Sequence, residues 1–150
     1  MQVYTRSMGD DLEPCVCTSL RQAAQAATEI YDRILEPSGL KITMFRVLRR
    51  LSHAGEPTIS ELARIVELDR SSLGRNLKVL ERENFVRLVD GEADERSKVV
   101  RLTPKGKAAL AKALPLWTEA QSRLTAALGG SDKQAVFNVL AKVNSELQTA

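Results

Sequence analysis

The residues best suited to chemistry lie between Asp69 and Asn84. Taken at 100° per residue, Leu73, Leu77 and Leu80 fall within one narrow arc, and Ser71, Arg75, Lys78 and Arg82 occupy the opposite one. A helix with such an outer face suits a nucleic-acid duplex. Arginine can span guanine O6 and N7 with two hydrogen bonds, and serine or lysine reaches phosphates and base edges. Gly74 sits beside the stripe and removes bulk there. The plain alternative is a solvated face with a glycine that costs about 1 kcal/mol relative to alanine. Arg96 is a second candidate. It falls at the tip of a segment that reads as a hairpin, where a guanidinium can enter a narrow minor groove, and Asp94 is placed to orient it. Glu92 and Glu95 favour instead an acidic loop that stays in solvent.

Cys15 and Cys17 stand one residue apart, too close for an ordinary intrachain disulfide and too few for a secreted disulfide framework. A reducing cytoplasm is the expected location. The pair reads either as a thiol switch or soft-metal site near the start of the first helix, or as two small hydrophobes. His53 is the only histidine, so a multi-histidine metal site within one chain is excluded. Without a base beside a nucleophile, or paired carboxylates in a recognisable motif, no enzymatic reading holds. No cofactor and no resident metal are expected.

These groups must be positioned by helices. At 150 residues the chain fits one compact domain, or a small domain with helical extensions, and its 4% aromatic content favours a core of aliphatic side chains between helices. The net charge of +3 permits an anionic partner without requiring one. Its distribution is more informative: residues 41–54 carry Lys41, Arg46, Arg49 and Arg50 with no acid, and residues 90–95 carry Asp90, Glu92, Asp94 and Glu95. No apolar run is long enough to span a membrane. The first 14 residues lack a signal-peptide pattern and read as a flexible arm.

From Val16 to Ile34, the residues Val16, Leu20, Ala23, Ala27, Ile30 and Ile34 alternate steps of four and three, which predicts a long amphipathic helix ending near Pro37-Ser38-Gly39. A second helix buries Ile42, Phe45 and Leu48 and turns its arginines outward. After Pro57, Thr58 and Glu61 have capping-box spacing, and Asp69 caps a third helix running to about Asn84. Residues 85–89 and 98–102 then form the hairpin strands. Thr103-Pro104 opens a long helix with the stripe Leu110, Leu114, Trp117, Gln121, Leu124 and Leu128, kinked at Pro115 and ended by Gly129-Gly130. A last helix, capped by Ser131 or Asp132, aligns Val136, Leu140, Val143 and Leu147. The order is that of a winged helix-turn-helix: mainly α, with a small β-hairpin wing. Three long amphipathic helices at the chain ends, with little globule between them, point to an intertwined homodimer. The expected division is a DNA-binding lobe over 38–103 and dimerisation helices over 15–36 and 104–150.

The run Asp94-Glu95-Arg96-Ser97-Lys98-Val99-Val100-Arg101-Leu102-Thr103-Pro104-Lys105-Gly106 resembles the DxRS…LTxxG wing signature of the MarR family of bacterial transcription regulators. Residues 68–82 are similar to that family's recognition helix, and 58–63 to the helix before it. The resemblance implies a homodimeric winged helix-turn-helix protein on a pseudo-palindromic duplex operator, usually a repressor released by a ligand or an oxidant. It assigns Ser71, Ser72, Arg75 and Lys78 to the groove, Arg96 to the wing arginine and Asp94 to its ionic partner. Arg70, Arg82 and Lys98 complete the expected DNA-contacting set. In the family, aromatic acids often bind between the dimer helices and the DNA-binding lobe; Arg21, Met44 and Arg46 are the expected counterparts here, although Met44 and Trp117 also read as packing residues. This chain has Thr43-Met44-Phe45 where the family often has threonine then glutamine before phenylalanine, so no glutamine contact carries over. A winged-helix module that binds protein is a competing reading, disfavoured by the cationic stripe.

Overall fold

A computed structural model describes residues 13–91, 97–129 and 132–149. Helix α1 spans Val16–Leu35, α2 Ile42–Ala54, α3 Ile59–Val66 and α4 Arg70–Arg82; strands β1 (Val86–Asp90) and β2 (Lys98–Leu102) follow, then α5 (Pro104–Ala127) and α6 (Lys133–Thr149). A 3₁₀ turn at Glu36–Ser38 closes α1, and Gly39 takes the left-handed conformation (φ 77°) that the reversal requires. The Asp32 carboxylate of α1 accepts the Ile42 N–H at 2.8 Å, so one long helix caps the start of the next.

The core lies among α2, α3, α4, the strands and the first half of α5, with Leu48, Leu51, Leu62, Val66, Leu73, Leu80 and Val100 fully buried. The expected caps at Thr58 and Thr103 are present. Thr58 accepts from the Glu61 N–H at 3.2 Å and Glu61 returns a bond to the Thr58 N–H at 2.9 Å; Thr103 accepts from the Gly106 N–H at 3.0 Å.

Helix α4 stops at Arg82, two residues before the end near Asn84 expected from the sequence. Asn84 enters the left-handed region (φ 62°), its N–H bonds to Glu81 O, and the Phe85 N–H reaches Leu80 O at 2.8 Å. This Schellman closure uses asparagine in place of glycine and turns the Phe85 ring into the core, so β1 begins at Val86, one residue later than expected, and runs to Asp90. The strands pair antiparallel from Val86↔Leu102 to Asp90↔Lys98. Pro57 and Thr58 add to the outer edge of β2, through Val100 N–H to Pro57 O at 2.8 Å and a bridge between Thr58 and Val99, which locks the start of α3 to the wing.

The long helices depart further from the periodicity. In α1 the buried side chains are Tyr31 and Leu35, whereas Val16 is 72% exposed and the rest of the expected stripe is at most half-buried. In α5 the covered face is Gly106, Ala109, Leu110, Ala113 and Ala120; small side chains there let the helices approach, and Leu114 and Leu128 remain exposed. The Tyr31 hydroxyl donates to Gln121 Oε1 across the α1–α5 contact, and partial burial raises the tyrosine pKa. Pro115 does not end α5. Helix α6 buries none of its described side chains; Phe137, Leu140, Val143 and Leu147 are exposed. Among the described residues, α1 and α5 therefore pack closely on each other and α6 does not join them. Among the described residues, no helix is long and apolar enough to cross a membrane.

Candidate nucleic-acid interface

Helix α4 is fastened by Leu73, Leu77 and Leu80, which are buried, so its opposite face is set outward. Its first turn is tied at Asp69. That carboxylate accepts the Ser72 N–H at 2.8 Å and the Ser72 hydroxyl at 2.6 Å. The Ser72 bonds, with a smaller contribution from the nearby Arg75 charge, hold the Asp69 carboxyl below its usual pKa. Arg75 donates in turn to Ser71 Oγ at 3.3 Å and Ser72 Oγ at 3.1 Å. The guanidinium is thus held over the N-terminal turn of its own helix, beside the hydroxyls expected to share its function.

Arg70, Ser71, Arg75, Lys78 and Arg82 are all exposed on α4, and Ser72 is half-buried beneath them. Arg82 pairs loosely with Glu83 at 3.9 Å. A Cβ built on Gly74 meets nothing within 4 Å, so the protein itself does not need a glycine there. Lys98, at the base of the wing, binds Asp90 at 2.6 Å across the hairpin. Asp94 and Arg96 lie outside the described residues. Arg87, absent from the expected set, is exposed on β1 directly across from Arg101. The two like charges are tolerable because Arg101 is neutralised by Glu56, through bonds of 2.5 and 3.1 Å from Nε and Nη2. Its position was readable from the alternation of β1, which turns Arg87 away from the core residues Val86 and Leu88.

A second candidate site lies between α2 and α5. A cavity of about 500 Å³ is lined by Phe45, Arg46, Arg49, Arg50, His53 and Trp117. The Trp117 ring stacks on Phe45 with centroids 5.8 Å apart, and the Arg49 guanidinium lies 4.3 Å from its centroid. Arg46 donates to the Val66 carbonyl at 2.6 Å and lies 3.6 Å from the Glu67 carboxylate. Of the three residues expected to meet a ligand, Arg46 lines this cavity, whereas Met44 is buried in the core and Arg21 is exposed on α1 away from the cavity lining. Arg49, Arg50 and His53 were missed as a group. Their signal was the i, i+3, i+4, i+7 spacing from Arg46, which puts all four on one side of α2.

Cys15, the N-cap residue of α1, and Cys17 are both free and exposed. Hydrogen bonding, chiefly from the Thr18 hydroxyl and then from the Thr18 and Cys17 backbone, lowers the Cys15 pKa.

Helix, turn, helix and β-hairpin, with a cationic and hydroxylic face on the second helix, define a winged helix-turn-helix DNA-binding regulator. Residues 38–97 match the model of the MarR family. A crystal structure of the Mycobacterium tuberculosis transcriptional regulator MosR in complex with DNA is 40% identical, with 91% of this chain and 98% of that one aligned and a TM-score of 0.79. The transcriptional repressor CouR bound to a 23-mer DNA duplex is 27% identical over 87% of this chain and 92% of its own, with a TM-score of 0.76. An HTH-type transcriptional regulator of Bacillus subtilis, YdgJ, is 24% identical over 110 residues, covering 73% of this chain and 67% of that protein. The chain belongs to the MarR family and is a DNA-binding transcriptional regulator, not an enzyme.

Proposed function

We propose that the protein is a homodimeric cytoplasmic repressor on a pseudo-palindromic operator, with α4 in the major groove and release by a small aromatic anion in the α2–α5 cavity. The observation that carries the groove assignment is the tether of Arg75 to Ser71 and Ser72, which lowers the entropy lost when the guanidinium meets a guanine edge. Arg70, Lys78 and Arg82 flank it as phosphate contacts, with Lys98 at the wing. Arg96 acts as the wing arginine and Asp94 as its ionic partner, the roles that the family resemblance implies, and Arg96 enters the minor groove. Residues 38–103 act as the DNA-binding lobe, and 15–36 with 104–150 as the dimerisation part. Support for the dimer comes from the exposed apolar side chains Val16, Leu114, Leu128, Phe137, Leu140 and Val143, which lie on the terminal helices and lack cover among the described residues. The experiment is selection of a duplex from random sequence, followed by light scattering of the complex. Two copies on half-sites about 10 bp apart are expected; a monomer that binds the selected palindrome tightly overturns the proposal.

A second reading, release by oxidant, is favoured by the exposure and lowered pKa of Cys15. A thiolate attacks one oxygen of hydrogen peroxide, hydroxide leaves, and the sulfur becomes a sulfenic acid. The double variant Cys15→Ser, Cys17→Ser tests it. Peroxide that releases operator from the wild type but not from the variant supports the thiol switch, and identical curves eliminate it.

A further inference from the structure

The end of α3 is closed by a Schellman arrangement, with Leu68 N–H to Ala63 O at 3.0 Å and Glu67 N–H to Arg64 O at 3.2 Å. Glu67 therefore adopts left-handed geometry (φ 56°, ψ 42°), which side chains other than glycine seldom take. These bonds serve the carbonyls of Ala63 and Arg64. The Val66 carbonyl at the very end of the helix receives the Arg46 guanidinium at 2.6 Å, and the same group faces the Glu67 carboxylate at 3.6 Å. A cation at this end also complements the helix dipole. Two residues on, Asp69 caps α4, so the turn held by Arg46 is the one that sets α4 against α3.

Arg46 is at the same time a wall of the cavity that contains Arg49, Arg50, His53 and Trp117. Its present partners are a neutral carbonyl and a carboxylate that is 80% exposed and only loosely paired. A carboxylate inside the cavity offers a better partner, because a planar guanidinium binds it through two parallel charge-assisted bonds. Resting on the reading of this cavity as the inducer site, we propose that Arg46 is the positioning residue joining it to the helix-turn-helix. An aromatic carboxylate stacked near Trp117 draws Arg46 from the Val66 carbonyl and from Glu67. The left-handed turn then loses its outside support, and α4 is free to leave the orientation that fits the operator. Linkage makes the effect reciprocal: operator binding must lower affinity for the carboxylate by the same factor.

Three substitutions test this with benzoate as the probe. Trp117 is the only tryptophan, so its fluorescence reports occupancy of the cavity, while anisotropy of labelled operator reports DNA binding. Glu67→Gly makes left-handed geometry free of strain without touching the cavity wall. In that variant benzoate should still change Trp117 fluorescence, but its effect on operator affinity should shrink from about tenfold to under about twofold. Arg46→Met should weaken operator binding about tenfold without any benzoate, and adding Glu67→Gly should restore it to within about threefold. Arg46→Lys, which keeps one donor for Val66 but lacks the guanidinium fork, should bind operator more tightly than Arg46→Met and lose most of the benzoate response. The proposal is overturned if Glu67→Gly fails to rescue Arg46→Met that melts as a folded protein. It is also overturned if benzoate releases Glu67→Gly as fully as wild type at equal Trp117 response, or if Arg46→Lys responds like wild type. No Trp117 response to benzoate in the wild type defeats the inducer reading of the cavity; the rescue of Arg46→Met then decides the turn-holding role by itself.

Discussion

Gly106 lies so close to Phe85 that a Cβ on it would stand 2.1 Å from the Phe85 carbonyl oxygen. The first turn of α5 is pressed against the junction between α4 and the wing, and Thr103 seals the joint by donating to Asn84 O at 2.6 Å and capping the Gly106 N–H. The glycine of the wing signature is therefore a packing requirement, imposed by backbone that has no room to retreat.

Gly106→Ala should destabilise the protein by about 3 kcal/mol, the scale of overpacking against a fixed neighbour. Thermal or urea unfolding measures it. A midpoint within error of wild type would show that α5 can shift away from Phe85 freely.

Gly74→Ala should act in the opposite direction on the free protein. Its Cβ meets nothing, so the helix should gain up to about 1 kcal/mol. If α4 enters the groove with this side against the duplex, operator affinity should nevertheless fall. An equally tight or tighter complex would place Gly74 away from the DNA.

Arg75→Ala should cost about 1–3 kcal/mol on the preferred operator and flatten base preference at one position per half-site. Lys78→Ala should weaken all duplexes alike and reduce the slope of log affinity against log salt by about one. Competition titrations at several salt concentrations separate the two. Reversed behaviour would exchange the base-reading and phosphate roles.

The Glu56 and Arg101 pair gives a pH dependence of defined sign. Bonding to Arg101 holds the Glu56 carboxyl below its ordinary value in the folded chain. Its contribution is therefore complete above the unfolded value of about 4.3 and is lost as pH falls through the lower folded value. The difference in Tm between wild type and Glu56→Gln should be present at neutral pH and narrow on acidification from about pH 4.3 downward. A difference that widens there contradicts the assignment.

The helix-turn-helix was legible because its signals are local. Capping at Thr58, Asp69 and Thr103 needs only a side chain and an N–H three residues on, and Leu73, Leu77 and Leu80 declare their buried face through their spacing. Helix ends were less legible: Asn84 is a residue type that takes left-handed geometry readily but does not require it, and Glu67 takes it with no signal in its residue type. The cavity was only partly legible: the cations on α2 share a visible period, but Trp117 joins them from a helix 64 positions beyond His53.

The long helices mark the boundary most clearly. Periodicity established that α1, α5 and α6 are amphipathic, because a 3.6-residue turn repeats within each segment. It did not establish which apolar residues one chain covers. Tertiary packing placed Tyr31 and Leu35 of α1 inside, put the small residues Ala109, Ala113 and Ala120 of α5 at the close contacts, and left Phe137 and Leu140 of α6 exposed. Hydrophobicity along a chain sets how much surface seeks cover. Which surface finds it depends on how closely two backbones approach, and that distance is fixed by residues far apart in the sequence.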